Sequence, residues 1–327
     1  MGYKKIGFAL VVCLYFVSCH SDKDSSSPID IDYRKEMREF VIGISDYAKS
    51  VDPYFQVIAQ NGIELVSTNG EETGLPDTSY LDAIDGNGQE DLFYGYTQDD
   101  KATPPDDNAY LISFLNISKN AGNTILVTDY CSTPSKMDDS YARNSANQYI
   151  SFAADRRALN DIPGYPHQIH SENSDVITSL SQARNFLYLI NPDQYATKAD
   201  FIQAVIASNY DLLVMDLFFE DGIAFTTQEI DQLRHKANGG SRMIICYMSI
   251  GEAEEYRYYW SADWYTHKPS WLDAENPDWE GNFKVHYWDP EWQDIIYGND
   301  TSYLRKIVDA GFDGVYLDII DAFEYYE

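Results

Sequence analysis

Acidic side chains follow a short apolar run near the end of the sequence. Val315, Tyr316 and Leu317 are typical of a strand that is buried on both faces. Asp318 comes directly after this run, and Asp321 follows three residues later. Because burying carboxyl groups costs free energy, their presence at the end of a buried strand indicates a functional role. Paired carboxyl groups carry out general acid–base chemistry, and Asp318 is the first candidate for it.

Strand-like and helix-like segments alternate along most of the chain. Helical spacing of apolar residues is found, for example, over residues 33–49 and 141–159. Such alternation predicts a parallel sheet with helical crossovers. Eight strands in about 295 residues predict one (β/α)8 barrel, with its chemistry at the carboxyl ends of the strands. The predicted strands are residues 55–59, 91–96, 124–130, 186–190, 212–219, 243–248, 283–288 and 315–317.

The order of these segments places a helix first and a strand last. In a closed barrel the last strand must lie beside the first helix. We therefore expect Tyr33 and Glu327 to be neighbours, and we assign residues 33–327 to a single barrel. The irregular stretch 162–181 is either a long loop over one end of this barrel or a domain boundary.

The composition excludes several kinds of partner. The chain has 53 acidic and 23 basic residues, a formal net charge of −30, which argues against nucleic acid and anionic membrane surfaces. A cationic ligand would suit this charge, but an acidic surface that aids solubility is the simpler explanation. Cys131 and Cys246 are expected to be buried free thiols. The pair His167 and His170 lacks further ligands, so we predict no metal and no cofactor.

The first 19 residues have the layout of a signal peptide. Two lysines precede an apolar run over residues 6–17, which is too short to span a membrane. The run ends in Phe-Val-Ser-Cys, which resembles a bacterial lipobox with Cys19 as the lipidated residue. Residues 20–32 are polar and predict a flexible tether. We expect an outer-membrane or cell-surface lipoprotein of a Gram-negative bacterium, whose membrane contact is a lipid anchor at Cys19; a cleaved secretory signal with an incidental cysteine is the alternative.

Several motifs together resemble a known enzyme family. GFDGVYLDIID (311–321), CYMSIGEAE (246–254), FLYLINP (186–192) and the WDP step (288–290) are similar to the glycoside hydrolase family 114 type of barrel, the endo-α-1,4-polygalactosaminidase-related group. The resemblance extends over nearly all of residues 33–327. Segments that follow the GFDGVYLDIID-like strand in that family lie at the front of this chain. The resemblance therefore implies a circularly permuted (β/α)8 barrel.

The resemblance also implies a catalytic pair. Hydrolysis of a glycosidic bond commonly needs two carboxyl groups that flank it. Asp318 matches the aspartate that the family pattern marks as catalytic, and Glu90 matches a glutamate just before an aromatic strand. The alternative for Asp318 is a helix cap or an ion pair, and for Glu90 a structural role stays equally open.

Further residues are candidates for lining a substrate pocket. Asp216 either points into the pocket or is a hydrogen-bonded carboxylate of the barrel, and Glu252 is expected to bind sugar hydroxyls. All six tryptophans lie between Trp260 and Trp292, which favours an aromatic substrate wall over a loop that packs its own small core. The predicted substrate-binding residues are Glu252, Asp216, Tyr188, Asn61, Asp129, Tyr130, Asp321 and Trp288.

These observations predict a glycoside hydrolase that acts on a polysaccharide with two carboxyl groups. The resemblance implies an α-1,4-linked, galactosamine-containing polymer as the substrate. A surface glycan-binding lipoprotein whose barrel has lost its activity is the alternative, and binding without cleavage would distinguish it.

Overall fold

Eight parallel strands of the computed structural model, which describes residues 31–327, form a nearly closed barrel. The predicted (β/α)8 architecture is thus confirmed. The predicted signal peptide, Cys19 and residues 20–30 of the tether lie outside the described residues. In chain order the strands are Gln56–Gln60 (β1), Gly86–Glu90 (β2), Thr124–Tyr130 (β3), Ile150–Ala154 (β4), Phe186–Tyr188 (β5), Leu212–Met215 (β6), Met243–Ser249 (β7), Glu252–Glu254 (β8), Leu272–Glu275 (β9), Asn282–Val285 (β10) and Gly314–Asp318 (β11).

The barrel strands follow one another in the order β4-β3-β2-β1-β11-β7-β6-β5. The last strand, β11, pairs in parallel with both β1 and β7, so that Val315 lies opposite Val57 and Cys246. The seam of the barrel lies between β4 and β5, where the rings of Phe152 and Phe186 pack at 5.9 Å. Strands β8, β10 and β9 form a separate antiparallel sheet.

Helices surround the barrel and bury one apolar face each. In the first helix Met37, Phe40 and Ile44 recur at helical spacing and are fully buried. Among the described residues, none of the helices combines the length and the apolar character that crossing a bilayer requires. The helices are Tyr33–Val51 (α1), Thr78–Ala83 (α2), Pro105–Ala121 (α3), Pro134–Ala146 (α4), Lys198–Ile206 (α5), Thr227–Leu233 (α6), Pro290–Ile296 (α7) and Tyr303–Ala310 (α8).

The first helix and the last residues of the chain lie side by side, as predicted. Helix α1 packs against α2 and α8. Arg34 forms an ion pair of 2.9 Å with Glu327, and the Tyr287 hydroxyl donates a hydrogen bond of 2.8 Å to the carbonyl of Tyr33. The circular permutation relative to the family order stays a prediction.

Strand β2 is not the segment that the apolar pattern indicated. Residues 91–96 were expected to be the strand, but the strand is the glycine-rich segment before them, and residues 91–96 form a loop. A Cβ atom on Gly86 would overlap the Thr124 carbonyl, and one on Gly88 would overlap the Tyr316 hydroxyl. The strand therefore needs glycine where a hydrophobic pattern expects large side chains. As a result Glu90 stands at the carboxyl end of β2 rather than before a strand.

Two further predictions were wrong: one barrel strand was missed, and another was predicted in a segment that is not part of the barrel. Residues 141–159 were expected to form one helix, but α4 ends at Ala146 and β4 follows. Gln148 between them adopts a φ of 62°, which a helix cannot include. Residues 283–288 were expected to form a barrel strand, but β10 belongs to the antiparallel sheet. The two errors offset each other, so the predicted total of eight barrel strands is correct.

Both cysteines within the described residues are buried free thiols, as predicted. Cys131 follows β3 and Cys246 lies within β7. Burial raises the pKa of both thiols, so neither is a ready nucleophile.

The close contact at Gly88 generates a test of the fold. We expect Gly88→Ala to lower the free energy of unfolding by about 1–3 kcal/mol, because the new methyl group overlaps Tyr316 and Gln60 inside the barrel. Gly164→Ala is the control, since no heavy atom lies within 4 Å of a Cβ there. Urea denaturation of both variants measures the difference, and equal stability would contradict this packing of β2.

Candidate active site

The carboxyl ends of β2, β1 and β11 place three groups of the predicted site next to one another. Glu90 ends β2, Asp318 ends β11, and β1 lies between these strands, with Asn61 following it. Carboxyl ends of parallel barrel strands share one rim, the usual location of active sites in this fold. The predicted catalytic pair therefore stands on one rim of the barrel.

Asp318 is half-buried at this rim and has a strongly altered acidity. Burial raises the pKa of its carboxyl group to about 7, and the negative charge of Glu90 is the second cause. The Tyr247 hydroxyl donates a hydrogen bond of 2.7 Å to Asp318 Oδ2, which favours the charged form and limits the rise. A carboxyl group with this pKa can give or take a proton at neutral pH.

Asp321 lies in the short 3₁₀ helix Ile320–Tyr325 that follows β11. Burial also raises the pKa of this carboxyl group to about 7, and the charge of Asp318 is the next cause. Asp321 was predicted to line the pocket, and the structure places it within the electrostatic influence of the predicted catalytic aspartate.

Glu90 is held by two of the residues that were predicted with it. Its Oε1 accepts a hydrogen bond from the Tyr130 hydroxyl, and its Oε2 accepts one of 3.3 Å from Asn61 Nδ2. The backbone N–H of Glu90 in turn donates to Asn61 Oδ1 at 3.1 Å. The guanidinium of Arg157 stacks on the Tyr130 ring at 4.1 Å. These contacts fix the direction of the Glu90 carboxylate.

Tyr188 lies beneath the rim, inside the barrel. Its side chain is buried, and its ring meets that of Tyr316 edge to face at 5.2 Å. Burial raises the pKa of Tyr188 well above its ordinary value, and the charge of Asp318 is the second cause. The Tyr316 hydroxyl donates to the side chain of Gln60. A layer of polar side chains therefore supports the carboxyl groups from below.

Asp129 belongs to a different environment from its neighbour Tyr130. Successive residues of a strand point to opposite faces, so Tyr130 faces the barrel and Asp129 faces the helices. Asp129 is fully buried and accepts hydrogen bonds from Ser140 Oγ at 2.6 Å and from the backbone N–H of Phe93 at 2.7 Å. The structure thus places it outside the cluster around Asp318.

Glu252 and Trp288 form no hydrogen bond to Asp318 or Glu90 among the described residues. Glu252 is fully buried and accepts hydrogen bonds from Asn276 Nδ2 at 2.7 Å, from Asn282 Nδ2 at 3.2 Å and from the Tyr325 hydroxyl at 3.2 Å. The Trp288 ring packs on His286 at 4.9 Å and on Tyr33 at 5.0 Å. Both side chains contact segments that stabilise the fold beside the rim.

Asp216 combines the two roles that the sequence left open. It lines a cleft of about 570 Å³, and it pairs with Arg257 at 2.7 Å. Burial raises the pKa of Asp216, whereas the charge of Arg257 lowers it. The cleft extends from β3 to β7, and its lining includes Tyr130, Arg157, Asn191, Asp216, Phe218, Glu220, Tyr247, Tyr256, Arg257, Tyr258 and Trp279.

The aromatic segment divides into a core and a wall. The rings of Trp260, Trp264, Trp271 and Trp292 form a chain of contacts with successive separations of 5.1, 5.0 and 5.0 Å. Trp279 instead lines the cleft and is 66% exposed. Four tryptophans thus form the small loop core that the sequence left as an alternative, whereas Trp279 lies at the cleft and the substrate wall stays a prediction.

Three side chains at this site were not predicted from the sequence. Tyr247 lies within the apolar run of β7, where only its hydroxyl indicates that the residue forms a hydrogen bond at the site. Arg157 follows β4, and the prediction of one long helix over residues 141–159 concealed its place at the rim. Arg257 follows the CYMSIGEAE motif and forms ion pairs with Asp216 and Glu254, which the sequence pattern does not indicate.

The raised pKa of Asp318 predicts a penalty on stability. The folded chain binds this proton more tightly than the unfolded chain, so stability falls as the pH rises from about 4 to about 7 and stays lower above that. Asp318→Asn cannot ionise. We expect it to be more stable than the parent by about 1–4 kcal/mol at about pH 8, and equally stable at about pH 4.

Chemical denaturation at both pH values measures this difference. Asp82→Asn is the matched control, because it removes one negative charge from the exposed surface of α2. A gain in stability that is the same at both pH values, or the same in both variants, would contradict the raised pKa of Asp318.

Comparison with known proteins shows a family similarity in the second half of the chain. Residues 177–326, which contain Asp318, Asp216 and Arg257, match the model of glycoside-hydrolase family GH114, whereas Glu90 precedes this region. An uncharacterized protein of Methanocaldococcus jannaschii is 41% identical over 157 residues, which cover 47% of this chain and 42% of that protein.

Two bacterial proteins are also similar to part of this chain. An uncharacterized protein of Deinococcus radiodurans is 41% identical over 126 residues (38% of each chain), and one of Thermotoga maritima is 38% identical over 122 residues (37% of this chain and 36% of that protein). The chain spans about two fifths of the length of the curated relatives that it matches. Residues 177–326 of the chain are therefore similar to glycoside-hydrolase family GH114.

Proposed function

We propose that the chain is a glycoside hydrolase with Asp318 and Glu90 as its catalytic carboxyl groups. The observation that carries the proposal is the pairing of the two groups on one rim, where the charge of Glu90 helps to raise the pKa of Asp318 to about 7. Two carboxyl groups with different environments are what hydrolysis of a glycosidic bond requires. The family match of residues 177–326 supports the same activity.

In this proposal Asp318 is the general acid. Its proton passes to the glycosidic oxygen as the bond between that oxygen and the anomeric carbon breaks, so the leaving sugar departs as an alcohol. Glu90 either attacks the anomeric carbon or takes a proton from the water that attacks it. Tyr247 orients the acid, and Tyr130 and Asn61 orient Glu90.

The substrate that we propose is a polysaccharide, and the specific candidate is an α-1,4-linked polymer that contains galactosamine. Two observations support this candidate. The motifs around Asp318 and Glu252 resemble polygalactosaminidase-related barrels, and the net charge of −30 suits a partly cationic polymer. The leader sequence supports the further proposal that a lipid on Cys19 holds the enzyme at the cell surface, close to such polymers.

Substitution of the two carboxyl groups tests the activity. We expect Asp318→Asn and Glu90→Gln each to lower the turnover of α-1,4-galactosamine polymers by about 100-fold or more, because each removes one half of the acid–base pair. Release of reducing ends measures the turnover. Asp82→Asn, at the exposed surface of α2, is the control and should leave the rate unchanged.

Two outcomes would contradict this assignment. Unchanged turnover in both variants would show that other groups perform the reaction. Tight binding of glycans by the parent chain with no release of reducing ends would favour the alternative, a glycan-binding protein without activity.

The hydrogen bond from Tyr247 predicts a shift in the pH dependence. Activity should fall above about pH 7 as Asp318 loses its proton. Because the Tyr247 hydroxyl favours the charged carboxylate, Tyr247→Phe should raise the pKa of Asp318 and move this loss of activity to higher pH.

The dependence of kcat/KM on pH measures the shift. Tyr54→Phe is the control, since Tyr54 is 83% exposed and remote from the rim. An unchanged profile in Tyr247→Phe, or a shift to lower pH, would contradict Asp318 as the general acid.

A further inference from the structure

The cleft beside the carboxyl pair is continuous with it through two tyrosines. Tyr130 and Tyr247 both line the cleft, and their hydroxyls bind Glu90 and Asp318 respectively. The rest of the lining comes from the segments that follow β4, β5, β6, β8 and β9, so the cleft leads away from the carboxyl pair across one side of the rim. Its volume of about 570 Å³ lies in the usual range of ligand sites, about 300–1,000 Å³.

Three aromatic side chains along this cleft are exposed. Tyr256 is 64% exposed, Tyr258 is 41% exposed and Trp279 is 66% exposed. Exposed aromatic rings that line a cleft are characteristic of binding surfaces, because each leaves a large apolar face in contact with water. The four tryptophans of the loop core do not line this cleft.

The ring of Tyr256 is held in place by buried charged groups. Its hydroxyl donates a hydrogen bond to Glu254, and the guanidinium of Arg257 lies 5.0 Å from the centre of its ring. Arg257 is only 6% exposed and is itself fixed by ion pairs with Glu254 and Asp216. An exposed ring that is anchored on one side offers its free face at little cost in conformational entropy.

A second ring of this wall is supported in a similar way. Lys306 Nζ lies 4.6 Å from the centre of the Tyr258 ring, and the Phe218 ring packs on Tyr258 at 5.9 Å. The loop that carries Trp279 is tied down by the hydrogen bond from Asn276 to the buried Glu252. Tyr256 and Tyr258 therefore stand on packed supports, and Trp279 lies on a loop that is anchored three residues before it.

We propose that Tyr256, Tyr258 and Trp279 form a distal subsite that stacks on sugar rings remote from the cleaved bond. The enzyme then requires an extended chain of sugars, and this wall supplies affinity that a disaccharide at the carboxyl pair cannot gain. The flat apolar faces of sugar rings suit aromatic rings, and the hydroxyls of the two tyrosines can also exchange hydrogen bonds with sugar hydroxyls. This inference rests on the proposed function.

The test measures the binding of short and long glycans by a chain that does not cleave them. In the Asp318→Asn background, Trp279→Ala and Tyr256→Ala are added one at a time, and calorimetry measures the affinity for α-1,4-linked galactosamine disaccharide and octasaccharide. Tyr265→Ala is the matched control, because Tyr265 is also 60% exposed on the same segment and does not line the cleft.

We expect Trp279→Ala and Tyr256→Ala each to weaken octasaccharide binding by about tenfold or more, and to leave disaccharide binding unchanged. Tyr265→Ala should bind both glycans like the Asp318→Asn parent. Equal octasaccharide affinities in all three variants would overturn the distal subsite. If the unsubstituted chain still cleaved the polymer, the proposed function would stand in that case. Absence of both cleavage and binding would overturn the proposed function and the subsite together.

Discussion

The parallel pairing of β11 with β1 is the constraint on which the site depends. It places the last strand of the chain beside the first, so that Asp318 and Glu90 are separated by a single strand although they are 228 positions apart in the sequence. The glycines of β2 make this arrangement possible, because a side chain at Gly88 would displace the Tyr316 hydroxyl from the barrel. The pairing of the last strand with the first and the chemistry of the rim therefore have one structural cause.

The altered acidity of the rim carboxyl groups follows from this pairing of strands. Carboxyl groups brought together in a poorly solvated place resist full ionisation, since burial and mutual repulsion both disfavour the charged forms. The tyrosine hydroxyls act in the opposite direction by donating to the carboxylates, as Tyr247 does to Asp318. The site thus holds an unfavourable charge arrangement that the barrel stabilises, a common cost of active sites.

The extent to which sequence predicted this site can be seen in particular residues. Asp318 was placed correctly because it ends an apolar strand with an ordinary hydrophobic pattern. Glu90 was identified through resemblance but was set before its strand, since the glycines of β2 carry no hydrophobic signal. Arg157 escaped notice because β4 was assigned to a helix, although Gln148 ends that helix with a positive φ. Neither the side on which Asp129 points nor the burial of Glu252 could be predicted, because both depend on contacts that are distant in the sequence.

The proposed roles of Asp318 and Glu90 depend on their forming one electrostatically coupled pair at the rim. Carbon-13 NMR titration of the aspartate carboxyl groups tests it most directly, with Asp318 assigned by comparison with Asp318→Asn. We expect a pKa of about 7 for Asp318 in the parent chain and a lower pKa for Asp318 in Glu90→Gln, where the neighbouring charge is gone. A pKa for Asp318 near 4, the ordinary value for aspartate, in both proteins would contradict it.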